Sequence, residues 1–395
     1  MSDFFLPFLI VLALVAVILR ADFVLTLIYL FVGVFALGRW WSRRALNSVS
    51  ISREFNQRAF LYEKVEVSLE VHNRSWLPVP WLQLRENLPT GLGLSGAFER
   101  VISLGPGARH SLHYEIEGRR RGYYMIGPLS LYSGDLLGVS GDLQRSQPPD
   151  HLTVYPKIVP LTSVKLPSRS PMGTLRHTQP VFEDPSRVRG KRDYVSGDSL
   201  RRVDWKATAA AGHLQVRLFE PSIALETAIF LNLNNAEYDS RAPYMATELA
   251  IVVAASLANW VVAQRQAVGL LSNGIDPLQD DQLPQSIPPR RGRGHLMRIL
   301  EELARLQAGV TYPLVKLLRR EVVNLSWGTT LLMITANLDE ALYDGLFQAQ
   351  RSGLDIVLLP CGAVPEVKAA QGRAEYFGFG FYQIFTEKDL DVWRR

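Results

Sequence analysis

The chain concentrates charged side chains in one short stretch, residues 192–214, which reads RDYVSGDSLRRVDWKATAAAGHL. It holds three Arg, one Lys and three Asp beside one Tyr and one Trp. Side chains of these types could transfer protons, bind an anion such as nucleic acid, or pair with one another as a structural clasp. Each Asp lies close in sequence to an Arg or Lys, which favours an ionised carboxylate over one poised for proton transfer.

The pattern within this stretch predicts a short helix over residues 199–211. Asp198 is a good N-cap because its side chain can accept hydrogen bonds from the unpaired backbone N–H groups of the first turn. Gly212 suits the left-handed position after a helix, and the strand-like LQVRLF follows almost at once. Asp198 and Arg202 lie four positions apart with the acid first, the favourable order for a helical pair.

Arg201 and Asp204, three positions apart, form a second predicted pair. Trp205 and Ala209 would make an apolar stripe, and a buried Trp205 would anchor the segment, so that its removal would cost about 3–5 kcal/mol. The segment would then be a structural clasp. A surface that docks a partner stays open as the alternative. A catalytic role lacks a Ser-His or Cys-His arrangement that spacing could nominate.

Composition narrows the classes of function. A length of 395 residues predicts two or three domains. A net charge of +5 allows contact with anionic surfaces without singling out nucleic acid. The sequence has no GxxxxGK[ST] phosphate loop, and nothing in it nominates a cofactor or a small-molecule substrate. Cys361 is the only cysteine, which excludes an intramolecular disulfide and fits a reducing compartment.

Two uncharged apolar runs begin the chain, residues 4–19 and 23–38, with only Arg-Ala-Asp between them. As one helix they would extend about 50 Å, beyond the ~30 Å hydrocarbon core, and would bury two charges at about 2.5–3.5 kcal/mol each. A helical hairpin with these charges at the far surface avoids both costs. A cleaved signal peptide is the alternative, but it would need a positively charged start and only one apolar run.

Three arginines follow the second run: Arg39, Arg43 and Arg44. The positive-inside rule predicts that this flank, and with it both termini, is cytoplasmic. Trp40 and Trp41 would extend the second arm as interfacial anchors. The sequence therefore predicts a two-pass protein of the inner or plasma membrane whose soluble domains face the cytoplasm.

Beyond the membrane segment, the apolar pattern changes once. Alternating strands separated by turns, such as KVEVSLEVHN, predict an antiparallel β-sandwich. From residue 224, strands alternate with helices, which predicts a doubly wound α/β domain. The apolar stretch at residues 244–266 has polar interruptions and is predicted to be a core helix. The predicted parts are the transmembrane hairpin, the β-sandwich, a linker and the α/β domain, over residues 1–44, 45–160, 161–190 and 191–395.

The charged segment resembles the signature of the bacterial domain-of-unknown-function family 58, which runs Arg-Glu-Tyr, Gly-Asp, Arg, Trp-Lys and a pair of small residues. The stretch RRRGYYMIGPLSLYSGDLLGV and the paired apolar runs are similar to the family as well, so the resemblance spans nearly the whole chain. Asp193 stands where Glu is usual, and Ala210 where Arg often follows. With Asp204 included, the signature motif comprises Arg192, Tyr194, Gly197, Asp198, Arg201, Arg202, Asp204, Trp205 and Lys206.

The resemblance implies a von Willebrand factor A-like α/β domain and a MoxR-type AAA+ ATPase as partner. Such domains often carry a metal site formed by Asp-x-Ser-x-Ser after the first strand and a later Thr-Asp-Gly. Here the first element reads Asn232-Leu233-Asn234-Asn235-Ala236, and the later one reads Thr335-Ala336-Asn337. Because Mg²⁺ normally needs a carboxylate, we expect no metal there. These polar residues would instead form a docking edge, or simply cap the following helices.

The sequence thus predicts a non-catalytic, membrane-anchored protein-interaction module that works with the ATPase in assembling or remodelling a client complex. One alternative is a membrane-bound hydrolase that uses Cys361, which follows a strand at the edge where α/β domains bind ligands. Another is a metal-dependent adhesion domain. The expected partners are the membrane and the ATPase, not nucleic acid.

Overall fold

The structure is a computed structural model that describes residues 11, 22–93, 97–134, 143–162, 164, 183–221, 226–238, 242–279 and 285–393. It divides into two compact units, Met1–Lys157 with Leu300–Arg305 and Ile158–Ile299 with Leu306–Arg395. The first arm of the predicted hairpin, residues 4–19, lies outside the described residues except for Val11. Residues 165–182 of the predicted linker also lie outside them.

The N-terminal helix α1 spans Asp22–Ser48, and its 27 residues extend about 40 Å at 1.5 Å per residue. Large apolar side chains along it are exposed, including Phe23 at 79% and Tyr29 at 73%. Among the described residues, two helices are long and apolar enough to cross a membrane, Phe23–Ser48 and Pro243–Ala263. The most apolar part of the first is 6% buried, and that of the second is 61% buried. The second is the predicted core helix.

The described residues that follow α1 form ten strands, β1 to β10, in three sheets. The sheet orders are β1-β3-β6, β2-β10-β7 and β5-β4-β8-β9. Pairing is antiparallel, as predicted, except that β2 pairs parallel with β10. The strands span Val49–Glu54, Arg58–Phe60, Lys64–Asn73, Val79–Asn87, Ala97–Leu104, Arg109–Glu117, Gly122–Ile126, Leu129–Ser133, Leu143–Gln147 and Asp150–Tyr155.

One hydrophobic core joins these three sheets. Along β3, buried and more exposed residues alternate as the sequence predicts, because successive side chains of a strand point to opposite faces. Val67 of β3, Leu84 of β4 and Leu152 of β10 are fully buried and belong to the same apolar cluster. Residues from each sheet therefore exclude water from a shared interior.

An ion pair lies inside this interior. Arg53 of β1, whose side chain is 5% exposed, contacts the fully buried carboxylate of Glu86 on β4 and, at 2.5 Å, Asp150 on β10. Tyr114 donates its hydroxyl hydrogen to Glu86. Burial raises the pKa of Glu86, and the Arg53 guanidinium and the Tyr114 hydroxyl oppose that shift. Arg53, Glu86 and Asp150 together link one strand from each of the three sheets.

A separate two-stranded antiparallel sheet carries the charged segment. The prediction of one helix over residues 199–211 is wrong, because the backbone is extended at Val203, which pairs with Val216 across the strand. Two short helices therefore replace it. In chain order the elements are β11, a 3₁₀ helix, α2 and β12, over Glu183–Asp193, Leu200–Arg202, Trp205–Ala211 and Gln215–Pro221. Strand β11 begins inside the segment predicted as a linker.

A six-stranded sheet with the order β15-β14-β13-β16-β17-β18 forms the α/β part. Every neighbouring pair is parallel except β14 with β15. The strand order reverses between β13 and β16, and this arrangement opens a crevice at the carboxyl ends of those strands. The strands span Glu226–Leu231, Ala267–Ser272, Gln285–Arg290, Thr330–Thr335, Asp355–Pro360 and Gly380–Phe381.

Helices cover both faces of this sheet, as expected for a doubly wound domain. Ala228 and Phe230 of β13 pack in one apolar cluster with residues of α5, α6 and α7. Ile229 and Leu231 alternate with them on the other face and are also fully buried, and α3 packs against β13. The helices α3 to α7 span Pro243–Ala263, Arg293–Arg305, Leu314–Glu321, Glu340–Arg351 and Val367–Phe377.

The end of the chain differs from the sequence prediction. The aromatic residues of the stretch 377–385 favour a strand, but the strand is limited to the two residues of β18, and helix α7 precedes it. The antiparallel edge strand β15 was not predicted either. Its sequence QSIPPR contains two prolines, which are tolerated at a sheet edge where backbone N–H groups need no partner.

Candidate functional site

Strands β11 and β12 hold the signature segment in place. The backbone N–H of Tyr194 donates to the carbonyl of Leu214 at 2.9 Å and extends the strand pairing by one step. Val203 and Val216, each 2% exposed, form a small buried contact beneath the segment. Gly197 adopts a φ of +108°, where a Cβ atom would strain the backbone, so the turn requires glycine.

Asp198 is clamped by an arginine upstream of it. Both guanidinium nitrogens of Arg192 donate to its carboxylate at 2.7 Å, and the backbone N–H of Val195 donates to the same carboxylate at 3.0 Å. The prediction that Asp198 caps a helix is therefore wrong, and its hydrogen-bonded partner is Arg192, while the charge of Arg202 also lowers the pKa of Asp198. The hydrogen bonds from Arg192, followed by that from Val195, hold the pKa of Asp198 below its usual range.

Asp204 is the N-cap that the sequence analysis assigned to Asp198. Its carboxylate accepts the backbone N–H of Ala207 at 3.1 Å and so begins α2. It also contacts Lys191 at 3.0 Å and Arg217 at 3.9 Å, one on each strand, instead of the predicted partner Arg201. The Ala207 N–H and the Lys191 ammonium group lower the pKa of Asp204.

Three large apolar side chains of the signature segment are exposed to solvent, whereas Val203 is buried. Trp205 is 67% exposed, and Val195 and Leu200 are exposed as well, at 60% and 64%. Arg201, Arg202, Lys206 and Ala209 are also exposed. The prediction that Trp205 anchors the segment to a core is therefore wrong. Ion pairs of Asp198 and Asp204 hold the segment in place. Val195, Leu200 and Trp205 form its solvent-exposed apolar surface.

A second polar group lies at the carboxyl ends of β13 and β16. The Asn232 amide donates to a Glu237 carboxylate oxygen at 2.9 Å and to the Thr335 hydroxyl at 3.0 Å. The Asn234 amide donates to the other Glu237 oxygen at 3.0 Å. The Asn273 amide, after β14, donates to the side-chain oxygen of Asn232 at 2.9 Å. These side chains therefore satisfy one another inside the protein.

Burial separates the predicted docking-edge residues into two groups. Asn232, Asn234 and Thr335 are at most 5% exposed, so they support the edge without being able to meet a partner. Asn235 and Asn337 are partly exposed. Asn234 also caps a short 3₁₀ helix, in agreement with the capping alternative. A cleft beside this edge is lined by Ala236, Glu237, Tyr238, Ala336, Asn337, Ala363, Val364 and Pro365.

Glu237 also belongs to this candidate site, although no motif in the sequence points to it. It supplies a carboxylate to a set otherwise made of neutral amides, although it lies five positions beyond Asn232 and outside the Asp-x-Ser-x-Ser spacing. Both of its oxygens accept hydrogen bonds from asparagine amides. Within the part of the chain that the structure describes, no group of three or more His, Cys, Asp or Glu residues could hold a metal ion.

Two further sequence features have a simple structural setting. Cys361 follows β17 and is fully buried, and this burial raises the pKa of its thiol, which makes the nucleophilic thiolate scarce at neutral pH. The spacing GxGxxG occurs at residues 91–96, but strand β5 follows it. A dinucleotide-binding turn instead opens a helix, whose N-terminus receives the phosphates.

Comparison with known proteins identifies the signature region. Residues 190–318 match the profile of the family described as "Protein of unknown function DUF58". A curated relative, "Uncharacterized protein YeaD" from Bacillus subtilis (strain 168), is 24% identical over 284 residues, which cover 70% of this chain and 67% of the relative.

Solved structures show weaker similarity. A von Willebrand factor type A protein from Catenulispora acidiphila has 13% identity and a TM-score of 0.33, and the match covers 46% of this chain and 42% of that one. An alpha-2-macroglobulin from Escherichia coli has 16% identity and a TM-score of 0.25, with coverage of 29% and 18%. The chain thus spans less than half of either protein. By the profile match, residues 190–318, which include the signature motif, are similar to the domain-of-unknown-function family 58, as the motif predicts.

Proposed function

We propose that this chain is a membrane-anchored protein-interaction module and that its signature segment is the surface that docks a partner. The observation that carries this proposal is the exposure of Trp205, at 67%, within a segment whose backbone is fixed by two charged clasps. A tryptophan that stabilised the fold would be buried. Trp205 is held out in solvent by the same elements that order its neighbours.

The composition of this surface suits protein recognition. Trp and Arg are enriched among the residues that contribute most to binding energy, and Trp205 lies beside the exposed Arg201 and Arg202. The Arg192–Asp198 clamp and the Asp204 cap order the segment in advance, which reduces the conformational entropy that binding would otherwise cost.

Helix α1 is the proposed membrane anchor. It is apolar, long enough to cross the hydrocarbon core, and almost uncovered along its apolar window. Arg39, Arg43 and Arg44 near its C-terminal end support a cytoplasmic location for the soluble units under the positive-inside rule. The proposal includes a second membrane crossing by residues 4–19. Two crossings would return the N-terminus to the cytoplasm.

The proposed partner is a cytosolic AAA+ ATPase of the MoxR type, as the family resemblance implies. The sequence contains no GxxxxGK[ST] phosphate loop, so remodelling of a client complex would need energy from a nucleotide-hydrolysing partner. We propose no catalytic activity for the chain itself. The buried Cys361 gives a hydrolase no accessible nucleophile, and the internal pairing of Asn232 with Glu237 does not favour a metal-dependent adhesion site.

The experiment is a pull-down with the full chain in detergent, with and without ATP. The unmodified chain should retain the ATPase, and Trp205→Ala should lose it while keeping its melting temperature. Tyr376→Ala is the control, because Tyr376 is another exposed aromatic residue, at 86%, and lies outside the signature segment. Equal retention by the Trp205 variant would overturn the docking assignment. Retention of other proteins but no ATPase would overturn the partner.

A further inference from the structure

The loop between β3 and β4, residues 74–78, exposes another tryptophan. Trp76 is 75% exposed, while its neighbour Leu77 is fully buried. Arg74 in the same loop is exposed as well. In a flexible loop, an exposed tryptophan near an exposed arginine would not indicate a binding surface. The hydrogen bonds that fix the backbone of this loop are therefore important.

A buried asparagine fixes the loop. Asn73 is fully buried, and its amide donates to the carbonyls of Leu77 at 2.8 Å and Gly105 at 2.9 Å. Its side-chain oxygen accepts the backbone N–H of Ser75 at 3.0 Å. These hydrogen bonds fix the loop backbone on both sides of Trp76, whose side chain is exposed.

The same loop is fixed to helix α1. The indole N–H of Trp41 donates to the carbonyl of Pro78 at 3.0 Å, and the backbone N–H of Arg74 donates to the carbonyl of Ser48 at 3.1 Å. Ala45 and Leu46 of the helix are buried in the apolar core of the β-sheets. The helix and the loop thus belong to one compact unit, and the position of Trp76 along the helix axis is set by these contacts.

That position is the level of the lipid headgroups. From Phe23 to Trp41 the helix rises about 27 Å, close to the thickness of the hydrocarbon core. Trp41 would therefore lie at the end of that core. The loop runs between the level of Trp41 and that of Ser48, a rise of about 10 Å, which is comparable to one polar layer of a bilayer.

We infer that the β3–β4 loop is a second membrane contact, in which Trp76 enters the interfacial layer and Arg74 meets lipid phosphates. This inference rests on the proposed membrane anchoring by α1. The chemistry fits a lipid surface, since Trp is enriched at membrane interfaces and basic side chains are attracted to an anionic leaflet. Arg43 and Arg44 on the helix are exposed and carry the same charge.

The test uses the full chain in vesicles of phosphatidylcholine and phosphatidylglycerol that carry bromine on their acyl chains near the headgroup. Trp76→Cys is labelled with a small environment-sensitive fluorophore. The native Cys361 is fully buried with a raised thiol pKa, so labelling is confined to the introduced cysteine. Lys64→Cys is the control, because Lys64 is exposed at the opposite end of β3 from the loop.

The label at position 76 should lose most of its fluorescence to the brominated lipids, and the label at position 64 should not. No protein partner is present, so quenching reports lipid alone. A third label at Trp40→Cys, on the exposed side of α1, separates the two proposals. Quenching at 40 without quenching at 76 overturns the loop contact and leaves the anchor. Absence of quenching at both positions overturns the anchor and the loop contact together.

Discussion

Arg192 holds both carboxylate oxygens of Asp198 at 2.7 Å, in a bidentate pair that closes the turn around Gly197. Parallel N–H···O bonds of this kind fix an orientation as well as a distance. The pair lies at the surface, where ion pairs add little to global stability. Its consequence is local: it sets the path of the backbone that leads to Leu200 and Trp205.

The first prediction concerns this clamp. Asp198→Asn should leave the melting temperature nearly unchanged and increase amide hydrogen exchange at Val195, whose N–H bonds to the Asp198 carboxylate at 3.0 Å. The pKa of Asp198 is lowered in the folded chain, so the stabilisation is present above its ordinary pKa and is lost as pH falls through the lowered value. The difference between variant and unmodified chain should therefore shrink in strong acid. A difference that persists there would contradict the role of the ionised carboxylate.

The second prediction concerns Trp205. Because the ring is exposed, Trp205→Ala should change the free energy of unfolding by no more than about 0.5 kcal/mol, in place of the larger loss expected for a buried ring. Urea denaturation measures the change. Phe230→Ala, in the fully buried centre of β13, is the contrasting variant and should cost about 3–5 kcal/mol. A comparable loss for Trp205 would return that residue to a structural role.

The third prediction concerns the buried ion pair of the β-sheet unit. Arg53→Ala leaves the Glu86 carboxylate in the interior without its cation, which should destabilise that unit by about 3–5 kcal/mol in urea denaturation. Lys64→Ala removes an exposed partner of Glu115 and should have almost no effect. Similar results for the two variants would mean that Glu86 is neutral or solvated in the folded chain.

The fourth prediction concerns the polar network at the sheet edge. Asn232→Asp removes two donated hydrogen bonds and brings a second carboxylate next to Glu237, so it should destabilise the chain by about 1–3 kcal/mol at neutral pH. The neighbouring charge raises the pKa of the introduced acid, so the penalty appears as pH rises above about 4 and is complete above the raised pKa. Thermal unfolding at several pH values measures it. Asn337→Asp also brings two carboxylates together, because the Asn337 amide donates to Asp339 at 3.4 Å, but water screens this exposed pair, so the loss should be smaller.

The fifth prediction concerns Cys361. Since burial excludes reagents and raises the thiol pKa, a thiol-specific dye should react with the folded chain very slowly and with the unfolded chain at the ordinary rate. Rapid labelling of the folded protein, together with hydrolytic turnover, would instead support the hydrolase alternative.

Periodicity predicts the regular elements well because burial imposes it. The alternation in β3 and the apolar run of β13 are read directly from the sequence, since one face or both faces of a strand must be covered. The helix α7 was missed, and β18 is much shorter than its sequence indicates. The aromatic stretch FGFGFYQIF has strong strand propensity, and the tertiary arrangement overrides it after two residues.

The charged segment shows where sequence reasoning fails. Asp198 and Asp204 are both good N-caps by residue type, and local spacing favours the first. The partners that decide between them, Arg192, Lys191 and Arg217, lie on the two strands and are brought together only by the β11–β12 pairing. The exposure of Trp205 follows from the same pairing. Helical spacing alone could not reveal it.

The junction of α1 with the β-sheets contains no flexible joint. Ala45, Leu46 and Val49 continue from the helix into the apolar core, and Arg145 donates to the carbonyls of Asn47 and Val49 at 3.3 and 3.0 Å. A folded unit on a flexible linker can rotate independently of its membrane helix. Here the β-sheet unit and α1 rotate together. With α1 across a bilayer, as proposed, a partner that pulled on the unit would therefore exert torque on the helix and tilt it.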